Sequence, residues 1–148
     1  MANKKFWRIF ISFLLIINSC YFGLELYKEG IRNQWMENEQ LNQEAFTELS
    51  RLGSWTYFIE VVLLIIIVTV AAWIIMKKHR KLLRFLTYIN IAACVIFFGI
   101  GILLANIFEA TAGNLVQHLI GPTFITVLLI IYQLVLLFMK KRDSTFKN

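Results

Sequence analysis

The sequence predicts an all-α integral membrane protein: a bundle of four transmembrane helices with an amphipathic outer-surface helix between the first two spans. Of its 148 residues, 59% are hydrophobic and 16% are charged, whereas soluble domains average about 45–50% apolar and about 25% charged residues. The apolar residues form four runs of about the 20 residues that a helix needs to cross a bilayer. A single proline among abundant Leu, Ile and Phe favours long helices over the alternating strands of an outer-membrane barrel.

The predicted boundaries follow the apolar runs and the charges that end them, and the chain is interpreted as one membrane domain, 1–148. The parts, in order and to within a few residues, are a first span at about 9–27, an outer segment at 28–53, a second span at about 55–76, a basic loop at 77–84, a third span at about 85–108, an outer loop at 109–117, a fourth span at about 118–139 and a tail at 140–148. The first run lacks an A-x-A-like cleavage site, so we expect it to stay as a span. The short basic loop predicts antiparallel second and third spans.

Lysine and arginine set the predicted orientation, because short cytoplasmic loops retain them and translocated loops do not. Of the 15 basic residues, 12 lie before the first span, in the 77–84 loop or after the fourth span. We therefore expect a multi-pass protein of the cell membrane with both termini in the cytoplasm. The net charge of +6 is interpreted as this topology signal, so no nucleic-acid partner is expected. Richness in Lys, Asn, Ile and Phe suggests a bacterium with a single cell membrane.

The outer segment between the first two spans is predicted to contain the amphipathic helix. Leu41, Ala45, Leu49 and Leu52 recur at helical spacing, and Gly53 follows them where a helix often ends. We expect their shared face to be buried against lipid, the bundle or a partner. The structural alternative is a helical continuation or lid that packs on its own bundle.

Polar residues near the outer ends of the spans form the candidate site for ions or partners. An ionisable residue inside a span is costly and by default suggests a function, and Glu60 is such a residue in the second span. At similar depth we place Glu25, Asn106, Glu109 and His118. Together they would form a vestibule that binds a cation, relays a proton or receives a partner's basic group. The alternative is that these side chains simply reach headgroup water.

A second polar layer is predicted nearer the cytoplasm, where Asn90, Gln133 and Thr69 fall at similar depth in three spans. We expect all three to face the bundle interior as structural interhelical contacts, with Asn90 hydrogen-bonded to another helix. In the third span, Gly101 and Ala105 form a small-x-x-x-small step that permits close helix approach.

Catalytic, metal and cofactor patterns are missing from the sequence. It contains no H-E-x-x-H, G-x-S-x-G or Walker motif, and its histidines, His79 and His118, do not suit a buried bis-histidine haem. Cys20 and Cys94 lack C-x-x-C spacing and are interpreted as packing residues, although similar depths leave a disulfide open. We therefore expect no enzyme, no catalytic or metal-binding residue and no cofactor.

The sequence favours a small non-enzymatic membrane protein that acts as an accessory, regulatory or immunity-type partner of other membrane components. Its expected partners are the lipid bilayer and another membrane protein or a second copy of the chain. The main alternative is a small oligomeric ion- or proton-coupled transporter or channel that uses Glu60. A dispersed intramembrane enzyme site and a holin-like pore former are further alternatives.

Overall fold

The chain is almost entirely helical in a computed structural model that describes residues 4–37 and 43–145. Within these ranges there is no β-strand, so the all-α prediction is confirmed. The elements are α1 (Lys4–Glu37), α2 (Gln43–Met76), α3 (Arg80–Ile107), α4 (Ala112–Val116), a 3₁₀ turn (Gln117–Leu119) and α5 (Ile120–Thr145).

Four helical segments of the described chain are long and apolar enough to cross a membrane: α1, α2, α3 and the stretch Ala112–Met139 that joins α4 to α5. At most 33% of the most apolar window in any of them is buried within the protein. Large apolar side chains such as Ile65, Phe98 and Leu134 point outward instead. Lipid is the solvent that accepts such a surface, so the chain is a multi-pass membrane protein.

The first two helices are longer than the spans predicted for them. Each has 34 residues, or about 51 Å at 1.5 Å per residue, whereas the hydrocarbon core is about 30 Å thick. Each helix is thus about 20 Å longer than the hydrocarbon is thick. Residues 28–37 and 43–54 lie beyond the predicted spans, and we call them the distal hairpin.

The outer helix predicted for this segment is the first part of α2 rather than a separate element. The prediction that a helix ends at Gly53 is wrong, because α2 continues through this residue. One glycine inside a helix costs only about 1 kcal/mol, and the neighbouring Leu52 is buried. Ala45 and Leu49 on the same face are half-buried, and Leu41 lies outside the described residues.

A three-residue turn, 77–79, joins α2 to α3 and makes them antiparallel neighbours, as the sequence predicted. The N–H of His79 donates to the Ile74 carbonyl (3.3 Å) and the N–H of Lys78 to the Ile75 carbonyl (2.9 Å). This is the Schellman pattern, whose residue in the left-handed conformation is usually glycine. Here it is Lys78, with φ 54°.

Proline divides the start of the fourth span into α4, the 3₁₀ turn and α5. Pro122 has no N–H to donate to the carbonyl of His118, and its ring crowds that carbonyl. The chain therefore tightens into the 3₁₀ turn just before it. As a consequence His118 and Leu119 are buried in the bundle.

The two ends of the bundle differ in charge. At one end the start of α1 packs on α2 and α3, with ring centroids 5.8 Å apart for Phe6 and Trp73 and 4.8 Å apart for Trp7 and Phe85. We call this the basic end, because it carries the turn 77–79 and the basic residues around it. The opposite end, with the distal hairpin and α4, is the distal end.

Two apolar cores hold the helices together, one toward each end. The core of the basic end includes Trp7, Ile74 and Leu86, and the core of the distal end includes Phe22 and Leu115. Each core joins residues from α1, α3 and at least one further helix. The bundle is thus closed by side-chain packing along its whole length, which positions the polar residues between the cores.

Two glycines allow close helix contact. A Cβ on Gly101 would lie 2.8 Å from Val116 Cγ1, and one on Gly121 would lie 2.5 Å from Leu64 Cδ2. Ala105, one turn beyond Gly101, is also buried. The small-residue step predicted in the third span therefore faces α4, which can approach α3 closely only because these side chains are small.

Candidate polar site in the bundle

Tyr21 is the centre of a polar cluster that joins α1, α2 and the segment before α5. Its side chain is almost fully buried. The hydroxyl lies 3.2 Å from Glu60 Oε1 and 3.0 Å from the Asn114 carbonyl. A hydroxyl has one proton to donate, so these two acceptors share it. Tyr21 thereby connects Glu60 to the start of the fourth span.

His118 is held beside Tyr21 by a buried hydrogen bond. Its Nε2 lies 2.7 Å from Oδ1 of Asn18. The amide nitrogen of Asn18 donates to the Leu14 carbonyl at 2.7 Å, so the amide oxygen faces the imidazole and Nε2 is the donor. The ring of His118 also packs on the Tyr21 ring, with centroids 4.0 Å apart. Asn18 and Tyr21 together therefore hold this histidine in position.

The buried acids of α1 are paired close to this cluster. Glu25 accepts a hydrogen bond from Lys28 Nζ at 2.6 Å, and both residues interact electrostatically with Glu60. Glu29 pairs with Arg32 and also accepts a hydrogen bond from Thr111 Oγ1 at 3.1 Å. Since Thr111 immediately precedes α4, this contact ties the connection after α3 to α1.

The structure brings three of the five predicted site residues together and leaves two outside. Glu25, Glu60 and His118 lie in or beside the cluster, whereas Asn106 and Glu109 are exposed. Asn106 follows buried Ala105 and so points about 100° away from the interior. Glu109 lies beyond the end of α3 with φ 51°. The vestibule of five residues is therefore not formed, and a functional role for the other three stays a prediction.

The predicted second layer is wrong for Thr69 and differs in detail for its other two members. Thr69 is exposed, because buried Ile67 and Ala71 mark the interior face of α2 and Thr69 lies between them, on the opposite side. Gln133 donates to Thr87 Oγ1 at 2.7 Å rather than to Asn90. Asn90 is buried, but its Nδ2 has no hydrogen-bond partner among the described residues.

Sequence reasoning missed Tyr21, Glu29 and Thr87 as members of these polar contacts. A helical repeat would have found most of them, because Leu14, Asn18, Tyr21, Glu25 and Glu29 all fall three or four residues apart and are all buried. Polar residues in this repeat mark the interior face of α1.

A small cavity separates the cluster from the second layer. It has a volume of about 10 Å³, and its lining includes Asn18, Asn90 and Cys94. This is about the space of one water molecule. Cys94 and Cys20 are both free thiols, so they do not form a disulfide. Among the residues that the structure describes, no group of three or more His, Cys, Asp or Glu side chains is placed to hold a metal ion.

Comparison with known proteins adds no family to this description. A scan against protein-family models gives no match, and searches of the curated proteins and of the solved structures give none either. The function is therefore argued from the geometry of the bundle.

Proposed function

We propose that the chain is a non-enzymatic accessory, regulatory or immunity-type membrane protein that binds another membrane protein through the distal hairpin. The proposal is carried by the length of α1 and α2, which exceeds the hydrocarbon thickness by about 20 Å. The Tyr27 hydroxyl donates to Glu48 Oε1 at 3.1 Å across the two helices. This bond ties α1 to α2 at the base of the hairpin, which is longer than a connection between spans requires.

The exposed surface of the distal hairpin suits an apolar contact. Met36 and Phe46 are each 63% exposed, although both lie beyond the predicted spans. Acids near the base of the hairpin are paired within the chain, Glu25 with Lys28 and Glu29 with Arg32. Large apolar side chains at the centre of an interface supply most of its binding energy, so Phe46 is the residue on which association should depend most.

Crosslinking in native membranes tests this proposal. A photoreactive phenylalanine analogue at position 46 is expected to capture one larger membrane protein in stoichiometric yield. The variant Phe46→Asp should reduce recovery of that protein at least roughly tenfold, because truncating an interface anchor typically costs more than about 1–2 kcal/mol. Recovery is measured by quantitative mass spectrometry of affinity-purified complexes.

Two matched variants make the crosslinking result specific. Thr47→Asp adds the same charge at the neighbouring exposed position and should leave recovery near that of the wild type. The photoreactive analogue at Phe98, an exposed residue within a span, reports nonspecific capture from lipid. Equal capture at positions 46 and 98, or equal loss in the two Asp variants, would contradict docking through the hairpin.

We place the protein in the cell membrane of a bacterium, with both termini in the cytoplasm. The support is the distribution of Lys and Arg along the sequence, since 12 of the 15 lie before the first span, in the 77–84 loop or after the fourth span. Reporter fusions at Asn148 and near Gln43 are expected to report cytoplasm and exterior respectively. Reporters that indicate the same side for both positions would exclude this topology.

A second candidate function is proton or cation transport, and the interior polar residues favour it. The cluster of Glu60, Tyr21, His118 and Asn18 is followed, across the small cavity, by Asn90 and then by Thr87 with Gln133. Polar groups therefore succeed one another from the distal end toward the basic end. Such series inside a membrane protein often mark an ion or proton path.

Flux measurements in sealed vesicles separate the two candidates. Under the partner proposal, wild type and Glu60→Gln should both give proton and cation flux equal to that of empty liposomes. Glu109→Gln is the matched control, since Glu109 is an exposed carboxylate at the same end. Wild-type flux that disappears in Glu60→Gln and persists in Glu109→Gln would contradict the partner proposal and support transport.

A further inference from the structure

A cavity of about 300 Å³ lies at the basic end, between the turn that joins α2 to α3 and the side of α5. Its polar lining comes from Lys78, His79 and Arg80 around the turn and from Tyr132 on α5. Small-molecule sites occupy about 300–1,000 Å³. This space therefore accommodates a phosphate-bearing headgroup but not a whole lipid.

The turn fixes the backbone from which the basic side chains extend. Lys78 has the left-handed conformation, and its N–H and carbonyl are bonded to Ile75 and Arg80 respectively. Among the described residues that line the cavity, none is acidic. The ion pairs Lys28–Glu25 and Arg32–Glu29 are at the distal end. The cavity thus has a net positive lining on an ordered backbone.

The rest of the lining is apolar, with Ile75 and Leu136 beside the buried Leu83. A second cavity of about 30 Å³ lies alongside, since Arg80, Leu83 and Leu136 line both. It adds Arg84 and the exposed Leu137, so the apolar side of the site reaches the lipid-facing surface of α5. The site is therefore cationic on one side and apolar on the other, at the level where a span meets the headgroups.

We propose that this cavity binds an anionic glycerophospholipid, with its phosphate between Lys78 and Arg80 and its acyl chains along Leu136 and Leu137. Arginine binds phosphate oxygens bidentately, and basic pockets between transmembrane helices bind anionic headgroups. Tyr132 adds a hydroxyl donor to the same space. Free phosphate would contact only the cationic side, so the apolar lining identifies a lipid as the ligand. The proposal goes beyond the function proposed above and does not depend on it.

Native mass spectrometry of the purified full chain tests this site. Phosphatidylglycerol, phosphatidylcholine with the same acyl chains, and inorganic phosphate are added separately. Phosphatidylglycerol is expected to stay bound and to raise the melting temperature, whereas phosphatidylcholine and phosphate are not. The double variant Lys78→Gln/Arg80→Gln should weaken phosphatidylglycerol binding at least roughly tenfold, because two basic contacts are lost.

The matched control is Lys77→Gln/Lys81→Gln, which removes the same charge from exposed positions that do not line the cavity. Its affinity for phosphatidylglycerol should stay close to that of the wild type. Equal loss in the two double variants, or equal binding of phosphatidylcholine by the wild type, would overturn the proposal. Phosphate that stabilises the protein as much as the lipid does would also overturn it. If a variant fails to fold, the shifts in the melting temperature of the wild type with phosphatidylglycerol, phosphatidylcholine and phosphate still test the proposal.

Discussion

Replacing Leu86 by alanine is expected to lower the free energy of unfolding by about 2–4 kcal/mol, the usual range for a leucine removed from a packed core. Leu86 on α3 is 0% exposed and packs in the core of the basic end together with Ile74 and Trp7. The variant leaves a cavity that neighbours fill only in part, so dispersion contacts are lost. Unfolding in bilayers or mixed micelles, followed by SDS titration, measures the change.

The control for Leu86→Ala is Leu103→Ala, on the same helix. Leu103 is 61% exposed, so lipid replaces the methyl groups that are removed. Because lipid tails are as apolar as leucine, the cost should stay below about 1 kcal/mol. A similar loss of stability in both variants would mean that α3 does not present Leu86 to the interior.

Replacing Asn18 by leucine is expected to lower the free energy of unfolding by about 1–3 kcal/mol. The variant keeps the size of the side chain but removes the oxygen that accepts the hydrogen bond from His118 Nε2 at 2.7 Å. A buried donor is then left without its partner, which costs more than the bond itself contributes. Hydrogen bonds between helices of membrane proteins contribute about 0.6 kcal/mol on average. We therefore expect a loss of stability near the lower end of this range.

A double-mutant cycle tests the pairing of Asn18 with His118. His118→Leu alone should also destabilise, but the double variant Asn18→Leu/His118→Leu should lose less stability than the sum of the single changes, because no buried donor is left unsatisfied. Ser19→Leu, at the adjacent exposed position, controls for adding leucine to α1. Strict additivity would show that the two side chains do not interact.

The number of spans was predictable because it depends on the summed hydropathy of short stretches of sequence. Lipid accepts a helix according to the hydropathy of about 20 consecutive residues, and each span between Lys4 and Met139 meets that condition. The helix ends were less predictable. Glycine at position 53 normally signals an end, yet α2 continues through it into the second span.

The candidate site was predictable only in part, because depth can be counted along a sequence and helix rotation cannot. Glu60 and His118 were placed at similar depth, and both contact Tyr21. Asn106 has a similar depth but faces outward. The hydrogen bond between His118 and Asn18 joins residues 100 positions apart, and no local pattern encodes it.

A helical membrane protein with four spans and a basic end follows from hydropathy and charge, because both act over short stretches of sequence. Which side of each helix faces the protein depends instead on packing in three dimensions. In a soluble protein the buried face of a helix is apolar and the exposed face is polar. In a membrane protein the face toward lipid and the face toward the protein are both apolar. Leu86 and Leu103 are both leucines on α3, yet Leu86 is buried and Leu103 is exposed. Among the threonines, Thr87 is buried and Thr69 is exposed. Packing against neighbouring helices alone made Leu86 and Thr87 interior.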